Sequence, residues 1–323
     1  MKKNIDILDL TKFILSLMIV AIHTGLFPSV LYPWLYLAVP LFFIISSYLL
    51  FSKIKSLPAE KHKETIKHYI FRILKLYLFW FIVLLPITIQ IRDGWFADGL
   101  WIGLFKTTIN LFLGSTFVAS WFLTALIFDT LIVNKLSKKH NKFLLFISIV
   151  SYLICCYFSS YHYILSSPIY DSVINFYNPA LSMFVGLIFI MVGKMFAEKE
   201  ITLSKKKSII LFIVSCGMLY VEWFAIYRIA GFNSNGCYIA IIPTTIFLFN
   251  LIKNVKLQIK NSKILRQFSN FTYPLHGSIV HVLLKLGVPI GFFNFSITLI
   301  ICLLFFFIVK KLECKIEFLK YSH

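Results

Sequence analysis

Apolar runs of about 17–23 residues, the length that crosses a bilayer as a helix, recur along this chain near 8–27, 33–51, 69–90, 119–134, 143–161, 180–196, 208–229, 237–252, 268–286 and 290–309. The pattern predicts an all-α, polytopic membrane bundle of about ten transmembrane helices. Segment 91–118 places Trp95, Trp101 and Phe105 among Gly94, Gly99, Gly103 and Gly114. That is too interrupted for a span and reads as an interfacial or re-entrant element on the outer face. No internal repeat and no long linker divides the chain, so a single domain over 1–323 is expected. The first run lacks a small-residue cleavage site and carries His23, which predicts a retained helix rather than a cleaved signal.

Composition agrees with the pattern: 59% of the 323 residues are hydrophobic, 14% are charged and 35 are Phe, with a mean hydropathy of +0.85. The net charge of +19 would suggest nucleic acid in a soluble protein, but here its placement decides its meaning. Lys and Arg concentrate in alternate connections: Lys2 and Lys3, Lys53 to Lys67, Lys135 to Lys142, Lys194 to Lys207, Lys253 to Arg266, and Lys310 to Lys320. Connections 28–32, 162–179, 230–236 and 287–289 carry none, and 91–118 carries only Arg92 and Lys106. The positive-inside rule then places both termini in the cytoplasm and favours an even number of spans. The charge is topology, and no nucleic-acid partner is expected.

Chemistry is expected where ionisable side chains enter the apolar runs, because each is costly in hydrocarbon unless it is paired or faces a polar cavity. Lys12 and His23 lie eleven residues apart. On a helix that is about 1100°, three turns plus roughly 20°, with a rise of roughly 16 Å, so they share one face and predict a cavity running along it. Taken singly, Lys12 could snorkel to the inner headgroups and His23 could simply bond between helices. Asp9, three residues before Lys12, predicts a local ion pair, with Asp6 and Asp9 in a first helical turn where the macrodipole favours acids.

Arg72 and Lys75 sit one turn apart at the inner end of the third span. With Lys12 they would make a basic pocket suited to phosphates, unless they only anchor the helix. Glu222 in the seventh span and His276 in the ninth are further candidates, and Pro274 frees a backbone carbonyl beside His276. Trp121 opens the fourth span, a common place for an aromatic-belt anchor. Asp129 follows toward the inner side and would call for a cytoplasmic-side base. The six cysteines show no metal-type spacing, so no metal is expected.

In order along the chain, Lys12 and His23, the phrase Val39-Pro-Leu-Phe-Phe-Ile-Ile-Ser46-Ser-Tyr-Leu, Arg72 with Tyr77, Trp121-Phe122-Leu123, the Glu222 helix and Tyr273-Pro-Leu-His276 resemble the acyltransferase family 3 membrane proteins. That family includes bacterial O-acetyltransferases of surface polysaccharides and the membrane domain of vancomycin-resistance serine racemases. Two positions depart from its pattern. Lys12 stands where most members have Arg, which keeps charge but loses the bidentate fork, and Ser47 replaces the usual Gly.

The resemblance implies an O-acyltransferase of the bacterial cytoplasmic membrane. Its donor would be acetyl-CoA or another acyl-CoA, held from the cytoplasm by Lys12, Arg72, Lys75 and Tyr77. The acceptor would be a hydroxyl of an extracytoplasmic glycan or other envelope molecule near Trp121. His23 would act as general base, or as an acyl-carrying nucleophile, with Glu222 or His276 orienting it or handling the acceptor's proton. A transporter of serine or another small solute, or a flippase, is the alternative for the same buried charges. The absence of a recognisable inverted repeat weighs against it.

Overall fold

The computed structural model describes residues 2–112, 114, 116–165, 167–201, 203–231 and 236–323. The connection predicted at 230–236 lies mostly outside them. The chain forms α1 (Lys2–Thr24), α2 (Tyr32–Leu35), α3 (Ala38–Lys55), α4 (His62–Val83), α5 (Leu85–Arg92), α6 (Leu100–Phe112), α7 (Trp121–Ser159), α8 (Ile169–Phe176), α9 (Met183–Glu198), α10 (Lys205–Ala230), α11 (Ile241–Lys253), α12 (Ser262–Lys285) and α13 (Phe292–Leu312). A 3-10 helix, Glu317–Ser322, follows. Helix lies on every predicted apolar run.

Among the described residues, six stretches are long and apolar enough to cross a membrane: Asp6–Thr24, Ser29–Lys55, His140–Ser159, Ile169–Glu198, Lys205–Ala230 and Phe292–Leu312. A seventh is added if α4 and α5, bent by 73° at their junction, count as one broken span. The protein is therefore a multi-pass membrane helical bundle. Pro86 in the first turn of α5 accounts for the bend, since its ring collides with the carbonyl four residues back in α4. Helix α6 is too short to span. It exposes Trp101 and Phe105 and buries Lys106, whose ammonium pairs with Asp98 at 2.8 Å.

The runs predicted at 119–134 and 143–161 are joined in α7, but His140 has non-helical dihedrals of φ −132° and ψ 42°. Both halves lie along α9. Asp129 sits against Gly186, where an added Cβ would strike its carboxylate, and Ser151 donates to the Phe184 carbonyl at 3.1 Å. Residues 129 and 151 would be about 33 Å apart on a straight helix, yet they meet adjacent turns of α9, so the chain doubles back at His140. Asn141, just past the turn, reaches Glu200 beyond the far end of α9 at 3.3 Å.

Helix α3 runs parallel to α9, and α1 runs parallel to α12. Along α3 and α9 the contacts ascend together, with Ser47 Oγ donating to Ile190 O at 2.6 Å and Lys55 Nζ donating to Glu198 O at 3.2 Å. Gly193 permits the close approach, because a Cβ there would meet Ile44 O at 2.5 Å. Along α1 and α12, Asp6 accepts from Ser262 at 2.6 Å, Asp9 accepts from Arg266, the Lys12 carbonyl accepts from Ser269 at 3.0 Å, and His23 faces His276. Asp6 and Asp9 thus lie beyond the first turn of α1 and serve α12 instead. Being parallel, α1 and α12 begin at the same end of the bundle. This helix carries many polar residues for its depth, but Ser269, Thr272, His276 and Ser278 are all buried within the protein.

Candidate functional site

The α1–α12 seam carries the ionisable residues. Near its beginning, Lys12 is buried and its ammonium donates to Ser46 Oγ of α3 at 3.3 Å. The expected Asp9–Lys12 pair is replaced by a long-range one, in which Arg266 Nη1 donates to both oxygens of the buried Asp9 at 3.2 and 3.3 Å. Lys12 lines a cavity of about 190 Å³ together with Arg72, Arg266, Asn270 and Tyr273. A second cavity, of about 460 Å³, shares Lys12, Ser46, Tyr69, Arg72 and Arg266 with the first and extends past Lys53, Thr65 and His68. The shared residues form a basic neck between an inner chamber and a mouth on the side where α1 begins. His323 also lines the chamber, outside the spans. Burial, then nearby Lys310, holds its imidazole below the ordinary pKa, so it adds little charge.

In the sequence Arg266 falls within a topological Lys/Arg cluster. A signal was present: Arg266, Ser269, Tyr273 and His276 are spaced three, four and three residues apart, which places them on one helical face. Of the cations expected around Lys12, Arg72 lines both cavities, and its guanidinium lies 5.5 Å from the Tyr69 ring. Lys75 does not line them, and its ammonium sits 4.6 Å over the Tyr321 ring. Tyr77 is buried elsewhere. Its hydroxyl donates to Leu111 O at 3.2 Å and bonds Thr116 Oγ1 at 3.1 Å, and its ring stacks on Phe117.

Further along the seam, the His23 and His276 rings lie 5.0 Å apart. His276 is fully buried, with Nδ1 at 2.6 Å from Tyr273 O and 3.2 Å from Thr272 O. Both partners are carbonyls, so Nδ1 carries the proton and Nε2 keeps a bare lone pair, with no partner among the described residues. His23 is exposed, on the side of α1 opposite the exposed Ile14 and in register with buried Lys12, Ser16 and Ile19. It therefore faces a recess within the bundle rather than the outer surface of α1. Pro274 removes one helical N–H and leaves the Asn270 carbonyl, at the chamber wall, without its intrahelical donor.

The remaining candidates lie off the seam. Glu222 accepts from the Tyr161 hydroxyl and from the N–H groups of Ile239 and Ala240, at 2.6 and 2.8 Å, and so closes the N-terminus of α11. It is not brought to His23. Trp121 is buried at the start of α7 against Phe43, with ring centroids 6.0 Å apart, and does not line either cavity. Asp129 is fully buried, and neither oxygen has the expected base, or any other partner, among the described residues. Among those residues no cluster of His, Cys, Asp and Glu is placed to hold a metal ion.

The arrangement can bind an anion at Lys12, Arg72 and Arg266 and exchange a proton at the histidine pair, with both functions on one seam. Comparison with known proteins gives a matching chemistry. A family profile described as an acyltransferase domain, acyltransferase family 3, matches residues 5–309. A protein of Enterococcus faecalis named amino-acid racemase is 26% identical over 306 residues, covering 88% of this chain and 43% of the relative. The chain thus spans less than half of that relative's length. No solved structure matches.

Proposed function

Because this chain belongs to acyltransferase family 3, we propose that it transfers an acetyl or other short acyl group from cytoplasmic acyl-CoA to a hydroxyl of an extracytoplasmic glycan or other envelope acceptor. The observation that carries this reading is the order of groups along α1 and α12: a basic neck first, then two facing imidazoles, one of them open to a recess. The bacterial cytoplasmic membrane, cytoplasmic termini and ten crossings belong to the same proposal. The parallel α1–α12 pairing and the alternation of Lys and Arg support it.

In this mechanism the donor's phosphates rest against Lys12, Arg72 and Arg266, and its pantetheine arm points along the seam. The rise from Lys12 to His23, roughly 16 Å, is of the order of that arm's length. The acceptor hydroxyl enters the recess beside His23, which takes its proton as the oxygen forms a bond to the thioester carbon. The carbon–sulfur bond then breaks, and the proton passes from His23 to the CoA thiolate. His276, fixed by Tyr273 O and Thr272 O with Nε2 turned free, positions the neighbouring imidazole. Lys75 and Tyr77 act on the surrounding framework through Tyr321 and Thr116. Glu222 fixes α11, and Trp121 fixes the start of α7.

The test is release of CoA from acetyl-CoA by purified protein, with and without an envelope extract as acceptor. His23→Ala should lower turnover by roughly 10²-fold or more, the usual scale of a lost general base, while CoA still binds. Full activity in that variant rejects the assignment. Uptake of labelled serine into proteoliposomes without any acyl donor would move the reading to transport.

A further inference from the structure

The inner chamber does not reach the histidine pair. It is closed on that side by Phe42 of α3, Phe122 of α7 and Tyr273 of α12, all buried and all lining the chamber. Their rings form a triangle with centroid separations of 5.9 Å (Phe42–Phe122), 6.0 Å (Phe42–Tyr273) and 4.9 Å (Phe122–Tyr273). Phe43 backs Phe122 at 4.5 Å. Beyond the triangle lies His276, whose ring centroid is 6.0 Å from that of Tyr273, and then His23 in its recess. Neither histidine lines the chamber. Tyr273 thus touches both the basic cavity, which it lines, and the histidine pair, which it meets through His276.

We infer that Phe42, Phe122 and Tyr273 form an aromatic partition that a thioester must displace to reach the histidines, and that its packing limits the length of the acyl group admitted. The inference rests on the proposed donor path. Interdigitated rings leave no void, so every methylene beyond an acetyl must be housed by moving a ring or by entering the wall of Leu123 and Leu126. Tyr273 is the ring best placed to move, because Pro274 directly after it interrupts the hydrogen bonding of α12. In its closed state the partition also shields the thioester from the recess. It thereby suppresses hydrolysis, in which water oxygen bonds to the acyl carbon, the carbon–sulfur bond breaks and a water proton ends on the thiolate.

The experiment compares wild type with Phe122→Ala, Phe122→Leu and Phe122→Trp, each full length, purified in detergent and checked for folding by size exclusion. Acetyl-, butyryl- and hexanoyl-CoA are the donors, and binding of free CoA is measured separately. The ratio of kcat/KM for hexanoyl-CoA to that for acetyl-CoA should rise at least tenfold in Phe122→Ala, the scale of discrimination between homologous apolar groups in a pocket. It should rise less in Phe122→Leu and fall in Phe122→Trp, with CoA affinity unchanged throughout. Equal ratios in all four proteins overturn length selection. A second readout does not depend on the donor: in sealed membrane vesicles, with the six native cysteines replaced by alanine, His276→Cys should react with a charged, impermeant methanethiosulfonate reagent added from the Lys12 side only when Phe122 is Ala. Equal labelling in both backgrounds overturns the partition. Absence of CoA binding and acyl-CoA turnover in wild type overturns instead the donor reading on which length selection rests, and labelling still decides the partition.

Discussion

Lys12 and Arg266 are both cations at the neck of one cavity, and they do different work. Arg266 is held by Asp9, whereas Lys12 donates to the Ser46 hydroxyl and forms no ion pair within 4 Å among the described residues. Lys12→Arg should therefore bind CoA with near wild-type affinity and Lys12→Met roughly tenfold or more weaker by calorimetry, since a hydrogen bond to a charged group contributes about 1.5–3 kcal/mol. Equal affinities in the three proteins would remove Lys12 from the donor site. Arg266→Met should destabilise by about 2 kcal/mol, below the range for a fully buried pair because Arg266 is partly exposed. Asp9→Asn in the same chain should recover part of that loss, read as the unfolding midpoint in detergent. The shared face of Lys12 and His23 was legible from helical period alone. The partner of Asp9 was not, because it lies 257 residues away and a nearer cation, Lys12, satisfied the local rule.

Elements were legible where hydropathy and charge agreed. The runs at 119–134 and 143–161 stood apart because Lys135 and Lys142 interrupt them, and the structure turns the chain back at His140 between them. The break between α4 and α5 was signalled by Pro86, yet continuous apolar character across 69–90 hid it. Parallel pairing of α3 with α9 was not legible, because nothing local records which helices meet. Gly193→Ala tests that contact. The new methyl would press on Ile44 O and Ser47, and overpacking of this kind costs about 1–3 kcal/mol. A thermal midpoint unchanged from wild type would show that α3 and α9 can separate freely. Replacing Ser47 by Ala should cost less, about 0.6 kcal/mol, the scale of an interhelical hydrogen bond within a membrane.

For the molecule as a whole, the Lys and Arg alternation and the parallel α1–α12 seam support the same proposed topology. With the six native cysteines replaced by alanine, Ser56→Cys and Ser204→Cys should react with an impermeant maleimide from the side of Lys2, and Ser167→Cys from the opposite side, when intact cells and inverted vesicles are compared. Labelling of the Ser56→Cys and Ser167→Cys variants from the same side would contradict the topology. Polytopic architecture was readable because hydrocarbon imposes length and charge rules on every span. The aromatic triangle was not, since it depends on rings from α3, α7 and α12 that meet only in space.

The parallel seam has a consequence for biosynthesis. Asp9 enters the membrane with α1, 257 residues ahead of its partner Arg266, and Lys12 and His23 likewise precede Ser269 and His276. Until α12 is made, α1 must therefore carry its polar face without its native cover, shielded by the insertion machinery or by provisional neighbours. The α1–α12 seam closes only when α12 slides in beside α1. On the proposed function, a ribosome-tethered chain is therefore inert until α12 has left the ribosome.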